Sequence, residues 1–381
     1  MKENELRIIP LVPEHDEDIP CCGGPAGPKS SPYDLPGYNL CSFVERFNKT
    51  IAGQVPEIKS RLEIRDILGT ISARLGMGRN NYTISPGLYC IGNPGTDSPV
   101  LLSANYKLSF DTLRKNLEGA DAWIVILDTR GINVWCAAGK GTFSTDEVIN
   151  RVIIIGLDKI VRHKKLILPQ LSAVGVSARQ VKKRCGFKVI WGPVRAVDIK
   201  AFISNGMKAK PPMRKVSFSI WERLVLVPVE INILAKHAKW LLPAFFLLSG
   251  TGPDIFSIAQ AWSRGILLAL AALTGVFAGA FAVPVLLPWI PGTMFAVKGV
   301  QTGIISGLFT AIMCREQIQG AEALALILFT TAISSYLAMN FTGSTPFTSP
   351  SGVEKEMRKA IPIQAVAIII SVLLWIGSAF L

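Results

Sequence analysis

The chain has 381 residues, 50% of them hydrophobic, a formal net charge of +13 and a mean hydropathy of +0.39. These values allow two or three domains and exclude a purely soluble protein. The basic excess does not read as a nucleic-acid footprint, because the clusters at 162–165, 182–184 and 208–215 have no zinc-finger, RNA-recognition or helix-turn-helix context.

Residues 1–50, with prolines at 10, 13, 20, 25, 28, 32 and 36, read as an extended or poorly ordered arm. In it, the pair Cys21-Cys22 either holds a soft metal ion, as thiolates do, or is two plain thiols. The seven cysteines (21, 22, 41, 90, 136, 185 and 314) show no C-x-x-C and no zinc or iron–sulfur spacing. With no secretory signal over residues 1–10, the first half is expected in the reducing cytoplasm with free thiols. Any electrons it needs must then come from a partner.

Residues 51–207 are expected to form one α/β domain. Leu62, Ile64, Ile67, Leu68, Ile71 and Leu75 have helical spacing over 58–75. Short apolar runs predict strands at 88–91, 100–103, 122–127, 166–170 and 187–191, with helices over 110–117, 144–161, 178–185 and 198–205. This alternation predicts a mostly parallel sheet with right-handed crossovers, a Rossmann-like or flavodoxin-like domain. In such a sheet, ligands sit beyond the carboxyl ends of the strands. Asn105-Tyr106, 129–131, 170–177 and 191–195 should share that edge. Gly175 and Gly192 permit close backbone approach, while Asn105, Ser172 and Ser177 either bond a ligand or shape turns.

The strand at 122–127 runs through Asp128-Thr129-Arg130-Gly131 into an octet, Asn133-Val134-Trp135-Cys136-Ala137-Ala138-Gly139-Lys140. Ser144 and Glu147 follow at capping-box spacing. The stretch is therefore a strand, a short cap carrying one cysteine, and a long helix. The small residues beside the thiol leave room for something broad and flat. Cys136 also reads as a small buried hydrophobe, and Lys140 equally as a ligand contact or a solvated residue. Asn133 suits a side-chain-to-backbone bond that fixes the cap. Gly139-Lys140-Gly141-Thr142 is no phosphate loop, since the first glycine of that motif would fall at Val134. There is no G-x-G-x-x-G and no G-x-S-x-G, and His15, His163 and His237 lack metal-ligand spacing.

A basic linker over 208–222 leads into a helical membrane domain over 223–381. Five spans are expected, at 224–249, 265–284, 292–313, 321–341 and 360–380, each near the ~20 residues that cross a hydrocarbon core. The first is interrupted by Glu230, Lys236, His237 and Lys239. Lysines and arginines before it, and at 355–359, place the α/β domain and the loop at 342–359 in the cytoplasm. Lys298, inside the third span, keeps open a transporter or sensor with a ligand-binding α/β domain. It can also snorkel from a span end.

The octet resembles the signature of the corrinoid proteins of microbial mercury methylation, the HgcA family, Asn-(Val/Ile)-Trp-Cys-Ala-(Ala/Gly)-Gly-Lys, at all eight positions. Its Ala-Ala-Gly-Lys part is similar to the corrinoid-binding domain of the corrinoid iron–sulfur protein of the acetyl-CoA pathway, which lacks the cysteine. The resemblance implies a membrane-anchored methyltransferase that binds cobalamin or a related corrinoid, with Cys136 as lower axial ligand to cobalt. Asn133 to Lys140, with Asn105, Gly175 and Gly192, would hold the cofactor. It implies Hg(II) as substrate, methylmercury as product, a ferredoxin-like iron–sulfur partner, HgcB, as reductant, and a methyl donor linked to methyltetrahydrofolate. A corrinoid methyl carrier for another acceptor fits the same residues.

Overall fold

Six consecutive apolar residues, Ala122–Leu127, form a strand buried at every position, as befits a strand covered by helices on both faces of its sheet. It is the fifth, in chain order, of the seven strands of the main sheet in a computed structural model that describes residues 27–31, 36, 41–341 and 350–381. His15 and Cys21-Cys22 lie outside the described residues, as does 342–349.

In chain order the strands are β1 (Val44–Thr50), β2 (Gly53–Ile58), β3 (Gly87–Ile91), β4 (Val100–Ala104), β5 (Ala122–Leu127), β6 (Lys165–Leu168) and β7 (Lys188–Trp191). They lie in the order β1-β2-β3-β5-β4-β6-β7. The helices are α1 (Ile64–Arg74), α2 (Lys107–Lys115), α3 (Val134–Gly139), α4 (Thr145–Ile155), α5 (Leu157–Ile160), α6 (Ala178–Cys185) and α7 (Ile199–Ser204). One apolar cluster packs α4, α5 and α6 on one face through Val148, Val152, Leu157 and Val181. A second packs α2 and α7 on the other through Phe110, Leu113, Ile199 and Phe202. The domain is thus a three-layer α/β sandwich.

The sheet is mixed rather than mostly parallel. β5, β4, β6 and β7 run parallel, but β3 pairs antiparallel with β5, and β1 and β2 add a hairpin beyond it. That hairpin begins inside the stretch expected as an arm and replaces the start of the helix expected at 58. Its sequence carries little alternation, because β1 is an edge strand with an exposed outer face. Pairing and the Arg46–Glu57 ion pair, 2.7 Å, hold it. The helix expected over 144–161 breaks at Gly156, whose φ of +64° ends α4 and starts α5.

α1 has its helical periodicity turned outward. Ile64, Ile67, Leu68, Ile71 and Leu75 are exposed, and the buried face carries Asp66 and Ala73. A buried ionic cluster anchors it instead. Lys107 bridges Asp66 and Asp111 at 2.6 Å each, while Arg114 meets Asp66 at 2.6 Å and Asp111 at 2.8 Å. Two acids face two bases, which is how buried charge is tolerated.

The segment expected as a free linker packs back onto the α/β domain. Met213 is buried in the second apolar cluster, and its carbonyl accepts from Val194 N at 2.9 Å. The helices α8 (Ile220–Leu224), α9 (Val227–Gly250), α10 (Ile258–Val276), α11 (Val283–Leu286), α12 (Phe295–Met313), α13 (Gly320–Asn340) and α14 (Pro350–Gly377) follow. By length and composition, four segments among the described residues can cross a membrane: Ile258–Leu286, Phe295–Met313, Gly320–Asn340 and Gly352–Phe380. α9, over the first expected span, is not among them. Its charged residues and Pro243 interrupt the apolar run.

Lys298 is buried in the first turn of α12, and its ammonium donates to the carbonyls of Leu287 (2.9 Å) and Ile290. It satisfies chain carbonyls where α11 ends. Three glycines of α12 serve close contact with the backbone of α13. A Cβ on Gly299, Gly303 or Gly307 of α12 would come within 2.6 Å of Ser335 Cα, 2.7 Å of Thr331 Cα or 2.9 Å of Ile327 Cα on α13. Close approach of this kind is the usual basis of helix association in lipid.

Candidate functional site

The parallel register sets Ala104 beside Leu127 and Leu168 beside Trp191, so the four segments beyond β4, β5, β6 and β7 open along one edge. This is the edge expected to carry the site.

Asn105, the first residue beyond β4, is 2% exposed, with its side chain committed to the turn after β5. Its Oδ1 accepts from Thr129 N (3.1 Å), Thr129 Oγ1 (2.9 Å) and Gly131 N (3.0 Å), and its Nδ2 donates to Asp128 Oδ1 (3.3 Å). One amide therefore shapes the whole turn after β5. Asp128 completes it by accepting from Arg130 N at 3.0 Å. Gly131 takes φ +75°, and a Cβ there would meet Thr83 Cγ2 at 2.7 Å. This turn delivers the chain to the cap at a fixed angle.

The cap is α3. Asn133 is its N-cap, with Oδ1 accepting from Cys136 N at 3.0 Å, the side-chain bond expected of it. Ala137 and Ala138 are buried at 0% and 5% in the apolar cluster above the sheet. They seat the cap rather than line a ligand surface. The Ala137 carbonyl also accepts from Thr142 N (2.9 Å) and Phe143 N (3.0 Å), which closes the turn after the cap. Gly175 lies under the cap's end, where a Cβ would stand 2.9 Å from Ala138 O and closer still to Phe143 O. Gly192 likewise packs against Ile167 and Leu168. Both permit close approach, as expected, but toward protein.

With one face of α3 committed to the core, the other is open. Val134, Trp135, Cys136 and Lys140 are half-buried, and a Cβ on Gly139 would meet nothing within 4 Å. The Cys136 thiol is not in a disulfide. Tyr106, within electrostatic reach of it, is 4% exposed. Burial pushes the Tyr106 phenol above its usual range, and Cys136 adds to the shift in the same direction. Tyr106 therefore stays neutral near the thiol at ordinary pH.

The Ser144–Glu147 pair forms half of the expected capping box. Ser144 Oγ accepts from Glu147 N at 3.2 Å, but Glu147 Oε1 turns away to accept from Asp128 N at 2.9 Å and from Arg151. Glu147 thereby ties α4 to the end of β5. Spacing could not distinguish these two uses of one carboxylate. Ser172 donates to Pro169 O at 2.8 Å, and Ser177 caps α6, so both serve turns.

Among the described residues, no group of three or more His, Cys, Asp or Glu could hold a bare metal ion. A half-buried thiol beside the open space at Gly139 instead fits a metal that arrives with ligands of its own and takes one donor from protein. That donor set fits a corrinoid.

Residues 60–203, which contain all of this geometry, match the family described as the CO dehydrogenase/acetyl-CoA synthase delta subunit. The α/β domain is thus similar to subunits of acetyl-CoA synthase systems. The acetyl-CoA decarbonylase/synthase complex subunit gamma of Archaeoglobus fulgidus is 28% identical over 149 residues, 38% of this chain and 31% of that one. Its counterpart in Methanothermobacter thermautotrophicus is 29% identical over 148 residues, 38% and 32% of the two chains. That of Methanosarcina acetivorans is 32% identical over 139 residues, 35% and 29%. The chain spans under a third of the length of these relatives, and the family match ends before its apolar helices.

Proposed function

We propose that the protein is a membrane-anchored, corrinoid-dependent methyltransferase that passes a methyl group to Hg(II), giving methylmercury. The observation that carries the reading is the Cys136 thiol, held half-exposed on the open face of a cap whose other face is locked to the sheet. When bound, the corrinoid supplies a cobalt-borne methyl group. Cys136, as the thiolate, would hold the cobalt from the protein side, since a bound metal favours the deprotonated thiol. A soft, strongly donating sulfur there would favour transfer of the methyl group to an electrophile.

The remaining residues hold that thiol. Asn133 pins the Cys136 amide, while Ala137, Ala138 and Gly175 seat the cap. Asn105 and Asp128 set its approach angle, acting as positioning residues. Gly139 leaves space for the macrocycle, and Trp135 and Lys140 border it. An iron–sulfur partner of the HgcB type supplies electrons, a methyltetrahydrofolate-linked system supplies methyl groups, and basic residues before α8 keep the domain on the cytoplasmic face of the inner membrane. The similarity to acetyl-CoA decarbonylase/synthase subunits favours, as second reading, a methyl carrier with another acceptor.

The test uses full-length protein in detergent, loaded with methylcobalamin and given Hg(II), as wild type and Cys136→Ala. A corrin spectrum with a sulfur-ligand signature, lost in the variant, is expected together with methylmercury formation by wild type alone. Identical spectra overturn the Cys136 assignment. Sulfur ligation without any methyl transfer to Hg(II) selects the second reading.

A further inference from the structure

α1 stands on the α/β domain with its apolar face outward. Ile64, Ile67, Leu68, Ile71 and Leu75 share an arc of about 100° of the helix, and Ile64 is 76% exposed and Leu68 59%. Met77 extends the patch past the helix end. The exposed Arg65 and Arg74 border it on either side, as helical spacing places them. The face cannot turn inward. Behind it, Asp66 is locked to Lys107 and Arg114, and a Cβ on Gly69 would stand 2.5 Å from the Tyr82 hydroxyl. A contiguous apolar patch held outward in this way marks an interaction site.

The neighbours indicate what covers it. α8 is pinned to the end of the segment Ile258–Leu286, because Arg223 donates to the carbonyls of Pro284 (3.0 Å) and Val285 (2.9 Å). With that segment crossing a membrane, this level is a face of the bilayer. Trp221 of α8, 77% exposed, is of the residue type that sits there. The α/β domain meets the helical half at the same level. Arg195, beyond β7, pairs with Glu222 of α8 at 2.6 Å. Gly76, just past α1, lies against the second turn of α9, where a Cβ would stand 3.0 Å from Asn232 Nδ2.

We propose that α1 is an in-plane membrane helix, its apolar face sunk into the bilayer and Arg65 and Arg74 on anionic lipid headgroups. An apolar stripe with basic borders is typical of helices that lie in the interface, and an anionic leaflet attracts arginine. A protein partner would suit the apolar face but leaves the two flanking arginines and the adjoining end of the bundle unexplained. The loop after α1 packs on the turn after β5, with Asn80 O 3.1 Å from a Cβ on Gly131, so the docked helix sets the height of the cap above the lipid. The inference rests on the membrane-anchored part of the reading above and not on the cofactor.

For the test, full-length protein is placed in nanodiscs doped with phosphatidylglycerol or phosphatidylcholine carrying a diazirine high on the acyl chain. Adducts are mapped by mass spectrometry after irradiation. The segment 61–79 should be labelled, about five-fold more by the anionic lipid, as the attraction of one arginine to an anionic surface allows. In Leu68→Glu/Ile71→Glu these adducts should vanish while those on the spans persist, with the melting temperature nearly unchanged because both sites are exposed. Arg65→Gln/Arg74→Gln should equalise the two lipids. Labelled spans with no adduct at 61–79 overturn the proposal, and so does wild-type labelling indifferent to lipid charge. A chain that does not enter nanodiscs, or whose spans stay unlabelled, overturns the membrane-anchored reading and this proposal with it. The wild-type pattern decides even where the variants fail to fold.

Discussion

In the α/β domain the residue that fixes the functional loop is polar and fully bonded. Asn105 accepts three hydrogen bonds and donates one within a single turn. In the helical domain the residues that fix neighbouring helices have no side chain: Gly299, Gly303 and Gly307 let α12 lie against the backbone of α13. The difference follows from the solvent. Burying apolar surface from water already drives the α/β core together, so polar residues are free to specify loop geometry. Lipid supplies no such drive between helices, and backbone contact and a few hydroxyl bonds must do the joining. Ser334 donating to Gly299 O at 2.8 Å and Ser371 donating to Ala325 O at 2.8 Å are of that kind.

The contrast can be broken at several points. The largest effect is expected where neither strategy applies. Cys136→Ala should lower methyl transfer by at least about 100-fold, since even indirect disturbance of a metal ligand costs 10–100-fold. Thermal unfolding should barely move, because the thiol is half-exposed. A large loss of stability instead would assign Cys136 to the core.

Gly303→Leu should destabilise the helical domain by about 3 kcal/mol through overpacking against Thr331. The expected readout is loss of its cooperative melt in detergent, while the spectrum of the corrin-loaded domain persists. Asn105→Ala strands buried donors of the 129–131 turn and should cost about 2 kcal/mol, together with weaker corrinoid retention on gel filtration. Unchanged retention would show that the turn does not position the cap.

Gly175→Ala should cost about 1 kcal/mol by lifting the end of the cap. A spectral change in the loaded protein larger than the change in melting temperature would mark the cap as the element displaced.

The smallest effect is confined to acid. Burial raises the Asp66 pKa, but hydrogen bonds and ion pairs with Lys107, Arg114 and the Glu63 turn outweigh it, holding the carboxyl below its ordinary value. A depressed carboxylate contributes stability above its unfolded pKa of about 3.9 and loses it as pH falls through the folded value. Melting temperature should therefore drop below about pH 4. Asp66→Asn should flatten that part of the curve at the cost of a lower baseline. An unaltered acid limb would assign it to other carboxylates.

The central strands, the cap and the apolar helices were legible because each carries a local signal. β5 is an unbroken apolar run, Asn133 stands where a helix N-cap should be, and the spans outlast any soluble helix. β1 and β2 were not legible, since an exposed edge hairpin held by pairing leaves little hydrophobic period. α1 misled for a related reason. Its apolar stripe is real, but the buried cluster of Asp66, Lys107, Asp111 and Arg114 decides which face turns inward. Those partners are up to 48 residues apart.

By itself, the sequence determined the division into an α/β half and an apolar half, the cysteine-bearing octet on a strand-end cap, and the polar types able to fix it. Those features depend on residue character and short spacing. Only the tertiary structure decided that Asn105 bonds the 129–131 turn, that Gly175 and Gly192 pack against neighbouring segments, and that Glu147 holds the end of β5. A side chain's partner is set by which distant segments the sheet and bundle bring within about 3 Å, and local spacing carries no record of that.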